Sequence, residues 1–322
     1  MENSNSQFEP IRYRARSKRQ FQQANFMTPK ILWFETGDLY TIRRGKEAGQ
    51  SLGVQVDSID VYDLTFAADG ASIGAFVAGR NLVAEYDALI VRSFMPFVSE
   101  ALLLARLFRA AGRVVVDESM TDEGYAMSKM HDYVVLAANG IDVPRTRQFC
   151  DTNESAAFAA DLGYPCILKG IHGSEGRHVH KVDSERELRK KLYQYKSGEV
   201  TVQEFLDASE DYRVIVIGYE ALPVYVSRRP RSGDFRTNFE FNEEVLPLPI
   251  SEAPHLKDIA ERAARTLRRE FSGVDIRYRD KTPLVLEANR RPGFKGFEET
   301  TKFDVAGTFI EYVANKVKAL CA

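Results

Sequence analysis

The chain has 322 residues, of which 44% are hydrophobic and 28% charged, with a formal net charge of -2, and that length accommodates about two to three domains. The composition excludes a disordered chain, and the near-neutral charge excludes a general nucleic-acid binder. Three cysteines without metal spacing (Cys150, Cys166, Cys321), no apolar run of the ~18–20 residues a membrane span needs and no export signal predict a cytoplasmic protein without a membrane partner.

In chain order, residues 1–27 form a polar extension that is locally basic at Arg12, Arg14, Arg16, Lys18 and Arg19. The apolar run Lys30–Glu35, bounded by Pro29 and Gly37, reads as a buried strand. A helix is expected from Thr41 to Leu52, strands near Ile59–Tyr62, Asp87–Arg92 and Arg113–Val116, and a helix over Ser99–Ala111. This alternation predicts a parallel-sheet α/β domain over residues 28–118. Next come a helix from Ser128 to Asn139, closed by Gly140, a strand at Arg145–Phe149 and a helix at Glu154–Leu162. The run Pro165–Gly170 leads into a loop, His172-Gly-Ser-Glu-Gly-Arg177, with Val179–Val182 as its partner strand and a helix from Glu185 to Tyr195. Val200–Leu206 reads as a buried strand, and two β runs between Tyr212 and Ser227 are separated by Gly218-Tyr-Glu, a hairpin signal. An amphipathic helix is expected from Pro254 to Glu270, then β runs from Phe271 and from Pro283, then a C-terminal helix carrying Val305, Phe309, Ile310, Val313 and Val317.

The segment Pro283-Leu-Val-Leu-Glu-Ala-Asn-Arg-Arg-Pro-Gly293 carries the clearest chemistry. Glu287 and Asn289 are two residues apart at the end of an apolar run, hence on one strand face. Asp275 follows a second β-like run, so the three side chains converge if the strands pair. Three hard oxygen donors suit Mg²⁺, which takes its other ligands from water and nucleotide phosphates. Lys169 ends its strand just before Gly170, Gly173 and Gly176, where backbone amides can approach phosphate closely. The P-loop Gly-Lys-Ser/Thr is absent and the loop leads into a strand, so this is a different phosphate loop. Lys129 starts a helix and taken alone is a surface lysine. The edge Gln203–Leu206, followed by Asp207, Glu210 and Asp211, can offer backbone groups to an adenine and carboxylates to a ribose.

Taken in order, Lys129, Cys166–Gly170, the glycine loop, Val202–Leu206, Asp211-Tyr-Arg213, Gly273-Val-Asp275 and Leu286–Asn289 resemble the ATP-grasp superfamily. Within it the chain most resembles the RimK-like carboxylate–amine ligases, the group of the ribosomal-protein glutamate ligase. The closest local matches are Gly233-Asp-Phe-Arg-Thr-Asn238, Glu287-Ala-Asn289 with Pro292-Gly293, and Gly296-Phe-Glu-Glu-Thr-Thr. The resemblance covers about Met120 to Ala319 and implies an α/β (α+β) ATP-grasp fold. A parallel-sheet pre-ATP-grasp domain at 28–118 would precede a central subdomain at 119–206 and a C-terminal subdomain at 207–322. It further implies an ATP- and Mg²⁺-dependent ligase that joins a small-molecule or peptide carboxylate to an amine. Similar ligases are commonly dimers and tetramers, so a homo-oligomer is compatible with it.

The same resemblance implies particular roles. Lys129 and Lys169 would contact the nucleotide phosphates, and the backbone of Gly173, Ser174 and Gly176 would close over them. Glu204 and Leu206 would form the adenine hinge, and Asp211 would approach the ribose. Asp275, Glu287 and Asn289 would hold Mg²⁺, and Arg228, Arg229 and Arg236, with Asn238 beside them, would serve the acyl phosphate and substrate carboxylates. Two departures concern the substrates. Such ligases carry a glycine-rich basic segment after Arg-x-Asn, whereas this chain has Phe239-Glu-Phe-Asn-Glu-Glu244, and Arg290 and Arg291 replace the usual small residues after the metal-binding Asn. The acidic segment would favour a cationic amine, and the arginines an anionic acyl donor. Two other readings stay open: a small-molecule kinase on this fold, and a nucleotide-binding partner protein without catalysis.

Overall fold

The protein is described by a computed structural model covering residues 28–37, 39–68, 73–122, 128–151, 153–170, 179–196, 198–207, 210–232, 234 and 242–321. Its first unit contains β1 (Lys30–Phe34), α1 (Leu39–Leu52), β2 (Gln55–Ser58), β3 (Thr65–Ala68), β4 (Ile73–Val77), β5 (Arg80–Asn81), α2 (Leu82–Glu85), β6 (Ala88–Val91), α3 (Val98–Ala110) and β7 (Val114–Val116). The main sheet runs β2-β1-β6-β7, with all pairings parallel. Ile31, Leu32, Leu89 and Ile90 are fully buried because helices cover both faces. The strand expected near Ile59–Tyr62 lies earlier, at Gln55–Ser58. The reason is local: Asp60 accepts a hydrogen bond from the Tyr62 amide and winds Val61–Asp63 into a 3₁₀ turn. The small antiparallel sheet β3-β4-β5 is an addition that the apolar pattern did not announce.

The second unit comprises α4 (Lys129–Ala138), β8 (Thr146–Gln148), α5 (Asn153–Leu162), β9 (Cys166–Gly170), β10 (Val179–Val182), α6 (Glu185–Leu192) and β11 (Val200–Glu204), with sheet order β10-β9-β11-β8. The third comprises β12 (Asp211–Ile217), β13 (Glu220–Ala221), β14 (Val224–Pro230), β15 (Asn242–Pro249), α7 (Pro254–Thr266), β16 (Phe271–Arg279), β17 (Thr282–Asn289), α8 (Lys295–Thr301) and α9 (Val305–Cys321). Its antiparallel sheet runs β15-β14-β12-β16-β17. Helix α7 ends before the expected Glu270: Arg268 turns to φ 52° and the Arg269 amide bonds back to the Ala264 carbonyl.

Helix α9 returns to the first unit. Phe309 meets Trp33 edge-on at 5.9 Å and packs on Phe271 at 4.3 Å, so residues of β1 and of the third sheet share one apolar cluster. That shared core fixes the ends of β1 and β6 beside the end of β17. No helix among the described residues is long and apolar enough to cross a membrane.

Candidate active site

The predicted ligands fall on one face of the third sheet. Asp211 lies opposite Arg228, Arg213 opposite Asp275, Asp275 opposite Glu287, and Gly273 opposite Asn289. Directly opposed residues share a face, so these pairs form a polar row across four strands. Val214, Val216, Val274 and Ile276 alternate to the other face and bury against α7.

Asp275 is the hub of the row. Arg213 donates to both its oxygens, at 2.8 and 2.7 Å, Arg228 Nη2 donates to Oδ1 at 2.8 Å, and Asn289 Nδ2 donates to Oδ2 at 3.1 Å. Burial raises the Asp275 pKa, but the two guanidinium groups outweigh it and bring the value down to about 2. Arg228 also donates Nε to Asp211 Oδ1 at 2.7 Å, and both side chains are buried. A ribose hydroxyl would therefore have to compete with Arg228 for Asp211. Arg228 itself is buried and bonded to both Asp211 and Asp275, so its guanidinium supports the acidic row. Arg229 is not brought to the row at all. Strand alternation turns it to the opposite face, where it is exposed and pairs with Glu244 at 3.0 Å.

A second cluster sits where α4, β9 and β17 approach. Lys129 Nζ donates to Glu287 Oε1 at 2.8 Å, both groups half-buried. Lys129 is raised by the Glu287 charge, and Glu287 is held below its ordinary range by Lys129 although burial opposes this. Lys169 on β9 is pushed down to about 7, first by desolvation and next by the Lys129 charge. The two lysines and the acids Glu287 and Asp275 thus feel one another across two sheets. Glu204, at the end of β11, accepts from the Arg145 amide at 2.8 Å and from Arg279 at 2.9 Å, and the Leu206 carbonyl accepts from Arg277 at 3.4 Å. These bonds fix the linker joining the two sheets. Gly173, Ser174, Gly176, Arg236 and Asn238 lie outside the described residues.

Among the described residues no group of three or more His, Cys, Asp or Glu could hold a metal. The site offers two carboxylates and one amide instead. The Asn289 nitrogen is turned to Asp275, so its oxygen is what it can offer a cation. All three are hard donors on one sheet face, the donor type Mg²⁺ takes, and at Asp275 a cation would have to compete with Arg213 and Arg228 for the two oxygens.

Beyond Asn289 the strand end runs into the first unit. Arg290 donates to Ser119 Oγ at 3.0 Å, Arg291 donates to Ser93 Oγ, and Arg92 donates to the Pro292 carbonyl at 2.8 Å. Gly273 permits this approach, since a Cβ there would lie 2.6 Å from Pro292 Cβ. Ser93 follows β6, and its carbonyl accepts from the Thr36 amide after β1 at 2.9 Å. The sheet order places the topological switch between these two strands, the usual ligand crevice of an open parallel sheet.

Arg277, Tyr133, Asp132 and Arg269 were not singled out by their residue patterns, and Arg213 entered only as the end of the Asp211-Tyr-Arg213 segment, without a role. Arg213 and Arg277 had a usable signal: each lies two residues from an acid of the row, Asp211 or Asp275, and so shares its face. The other three had none, because their partners are distant in sequence.

The sequence profile of the RimK-like ATP-grasp domain matches residues 126–313. The ribosomal protein bS6–L-glutamate ligase of Escherichia coli O1:K1 / APEC is 28% identical over 283 residues, covering 86% of this chain and 92% of that protein. The solved structure of the ATP-grasp ligase PsnB complexed with minimal precursor superposes with a TM-score of 0.68 at 22% identity, covering 92% of this chain and 100% of that one. The D-Ala:D-Ser ligase VanG of Enterococcus faecalis superposes with a TM-score of 0.64 at 17% identity, covering 92% and 100%. At these identities the two structures bear on fold alone.

Proposed function

This chain belongs to the RimK-like ATP-grasp family, and from that premise we propose that it joins an anionic carboxylate donor to an amine at the expense of ATP. The single observation that carries the proposal is the convergence of Lys129, Lys169, Glu287 and Asp275 at the junction of two sheets. A carboxylate is a poor electrophile for an amine at neutral pH. Transfer of the γ-phosphoryl group makes an acyl phosphate, and attack by the amine then yields an amide, ADP and phosphate. Asp275, Glu287 and Asn289 would hold Mg²⁺, which, when bound, neutralises charge on the phosphates. Lys129 and Lys169 bind the polyphosphate, and the Asp275–Arg213–Arg228 network keeps the row rigid.

The substrate assignment follows from charge. Arg290 and Arg291 stand between the metal-ligand strand and the switch-point crevice, so the acyl donor is a small molecule or peptide end bearing a second negative group. The acceptor is an amino acid or peptide amine; the pairing of Glu244 with Arg229 weakens the case that the acidic segment selects a cation.

The test is an ADP-release screen over amino acids and peptides with mass detection of products. Amide formation with free phosphate is expected; phosphate retained on the product would make the protein a kinase, and turnover only with neutral donors would remove the arginine assignment. Arg291→Ala is expected to raise KM for the anionic donor about 10-fold or more, with kcat changed less. An equal loss with a neutralised donor would show that Arg291 does not read its charge.

Lys169 adds a pH signature. With its pKa at about 7, it is roughly half protonated at pH 7, and a bound polyphosphate favours the charged form. ATP binding at pH 7 should therefore take up about half a proton, and affinity should weaken as pH rises above 7. Calorimetry in buffers of different ionisation heat measures this. Lys169→Met should abolish the uptake, and persistence of the uptake would place the proton elsewhere.

A further inference from the structure

Strand β17 carries Glu287 and Asn289 and forms an edge of its sheet. Main-chain groups along it are bonded by other elements. The Val285 amide donates to the Asp142 carbonyl at 2.9 Å, Tyr133 Oη donates to the Leu286 carbonyl at 2.7 Å, and Arg269 Nη1 donates to the Ala288 carbonyl. Leu286 and Ala288 flank Glu287, so the backbone is held on both sides of the proposed metal ligand.

Both clamps converge on helix α4. Tyr133 belongs to it, and Arg269 Nη2 is bonded at 2.8 Å to Asp132, also on α4. Asp132 follows Lys129 by three residues, which places the two on neighbouring parts of one helix surface. Arg269 and Tyr133 are buried, at 5% and 4% exposure, so their contacts escape the screening that weakens surface pairs. Gln203 on β11 donates to Tyr133 Oη at 3.1 Å and to Thr146 Oγ1 at 2.7 Å, extending the tie into the sheet that carries Lys169.

The half-buried Lys129–Glu287 pair is by itself a weak way to set geometry, because the lysine stem is flexible and loses rotamer freedom when held in one place. Something stiffer has to bring the lysine to the glutamate. We infer that Arg269 is a positioning residue that, through Asp132 and the Ala288 carbonyl, registers α4 against β17 so that Lys129 stands at Glu287 and at the nucleotide phosphates. The clamp rests on the contacts themselves; its consequence for ATP rests on the function proposed above. A misplacement of about 1 Å at such a site can lower rates by about 100-fold.

Arg269→Leu is expected to weaken Mg-ATP affinity about 10-fold by calorimetry and to speed hydrogen exchange across residues 129–138. Asp132→Asn should act in the same direction with a smaller effect, because Arg269 keeps its bond to Ala288. In a Lys129→Met background, either substitution should change ATP affinity by less than about 2-fold, since the positioned group is already gone. A purely structural role predicts additive losses there, and additivity would overturn the inference. So would unchanged ATP affinity in the single variants. Should Arg269→Leu not fold, Asp132→Asn carries the whole cycle. Should the native chain bind no nucleotide, the functional proposal fails while the clamp is still decided by hydrogen exchange, and unchanged exchange of α4 in the variants would refute it.

Discussion

Glu287→Gln is expected to lower kcat for ADP release by about 10³-fold or more while the protein remains folded. The substitution keeps shape and an oxygen that can still accept from Lys129, and it removes only the negative charge. That charge is present at neutral pH, because Lys129 holds the carboxyl below its ordinary range against the effect of burial. The stability cost should be smaller than at Asp275, since the pair with Lys129, at side-chain exposures of 26% and 36%, keeps part of its contact with solvent. Activity and the thermal transition, measured on the same sample, therefore separate. Turnover within about tenfold of the native chain would remove Glu287 from the proposed metal set.

Asp275→Asn should show the reverse balance, with a large loss of stability as well as of activity. Asp275 answers two guanidinium groups, Arg213 and Arg228, with side-chain exposures of 19% and 5%. An amide offers one oxygen and no charge, leaving both cations poorly compensated in a low-dielectric setting. Removing one partner of a buried ion pair costs about 3–5 kcal/mol, which a shift of the urea midpoint would report. The pH dependence provides an internal control. The folded-state pKa of Asp275, at about 2, lies below the ordinary 3.8, so the folded chain binds this proton more weakly than the unfolded chain. The stabilisation is complete above about pH 4 and is lost as pH falls through about 2. Native and Asp275→Asn proteins should thus converge in stability on acidification. A gap that stays constant down to pH 2 would mean that the network is not held by this charge.

The two predictions rest on different kinds of legibility. Glu287 and Asn289 could be placed on one face from their spacing alone, because alternation is a property of the strand itself. The pairing of Arg213 with Asp275, 62 residues apart, required the register of β12 on β16. Arg229 shows the hazard of reading a motif without register: adjacent to Arg228 in the chain, it faces the other way and pairs with Glu244. The misplaced strand near Ile59–Tyr62 and the early end of α7 have a related cause. In both, a local polar bond or a left-handed residue overrode the apolar pattern.

By itself, the sequence determined the family, the order of the family's motif segments and the common face of the hard oxygen donors. Each of these is written in neighbouring residues, as a two-residue alternation or as an ordered set of short motifs. The tertiary structure alone decided which charges neutralise one another and what holds α4 to β17. Arg269 meets Asp132 across 137 residues, and Arg291 meets Ser93 across 198. Such contacts depend on strand register and on helix docking through a shared core, which no local pattern encodes.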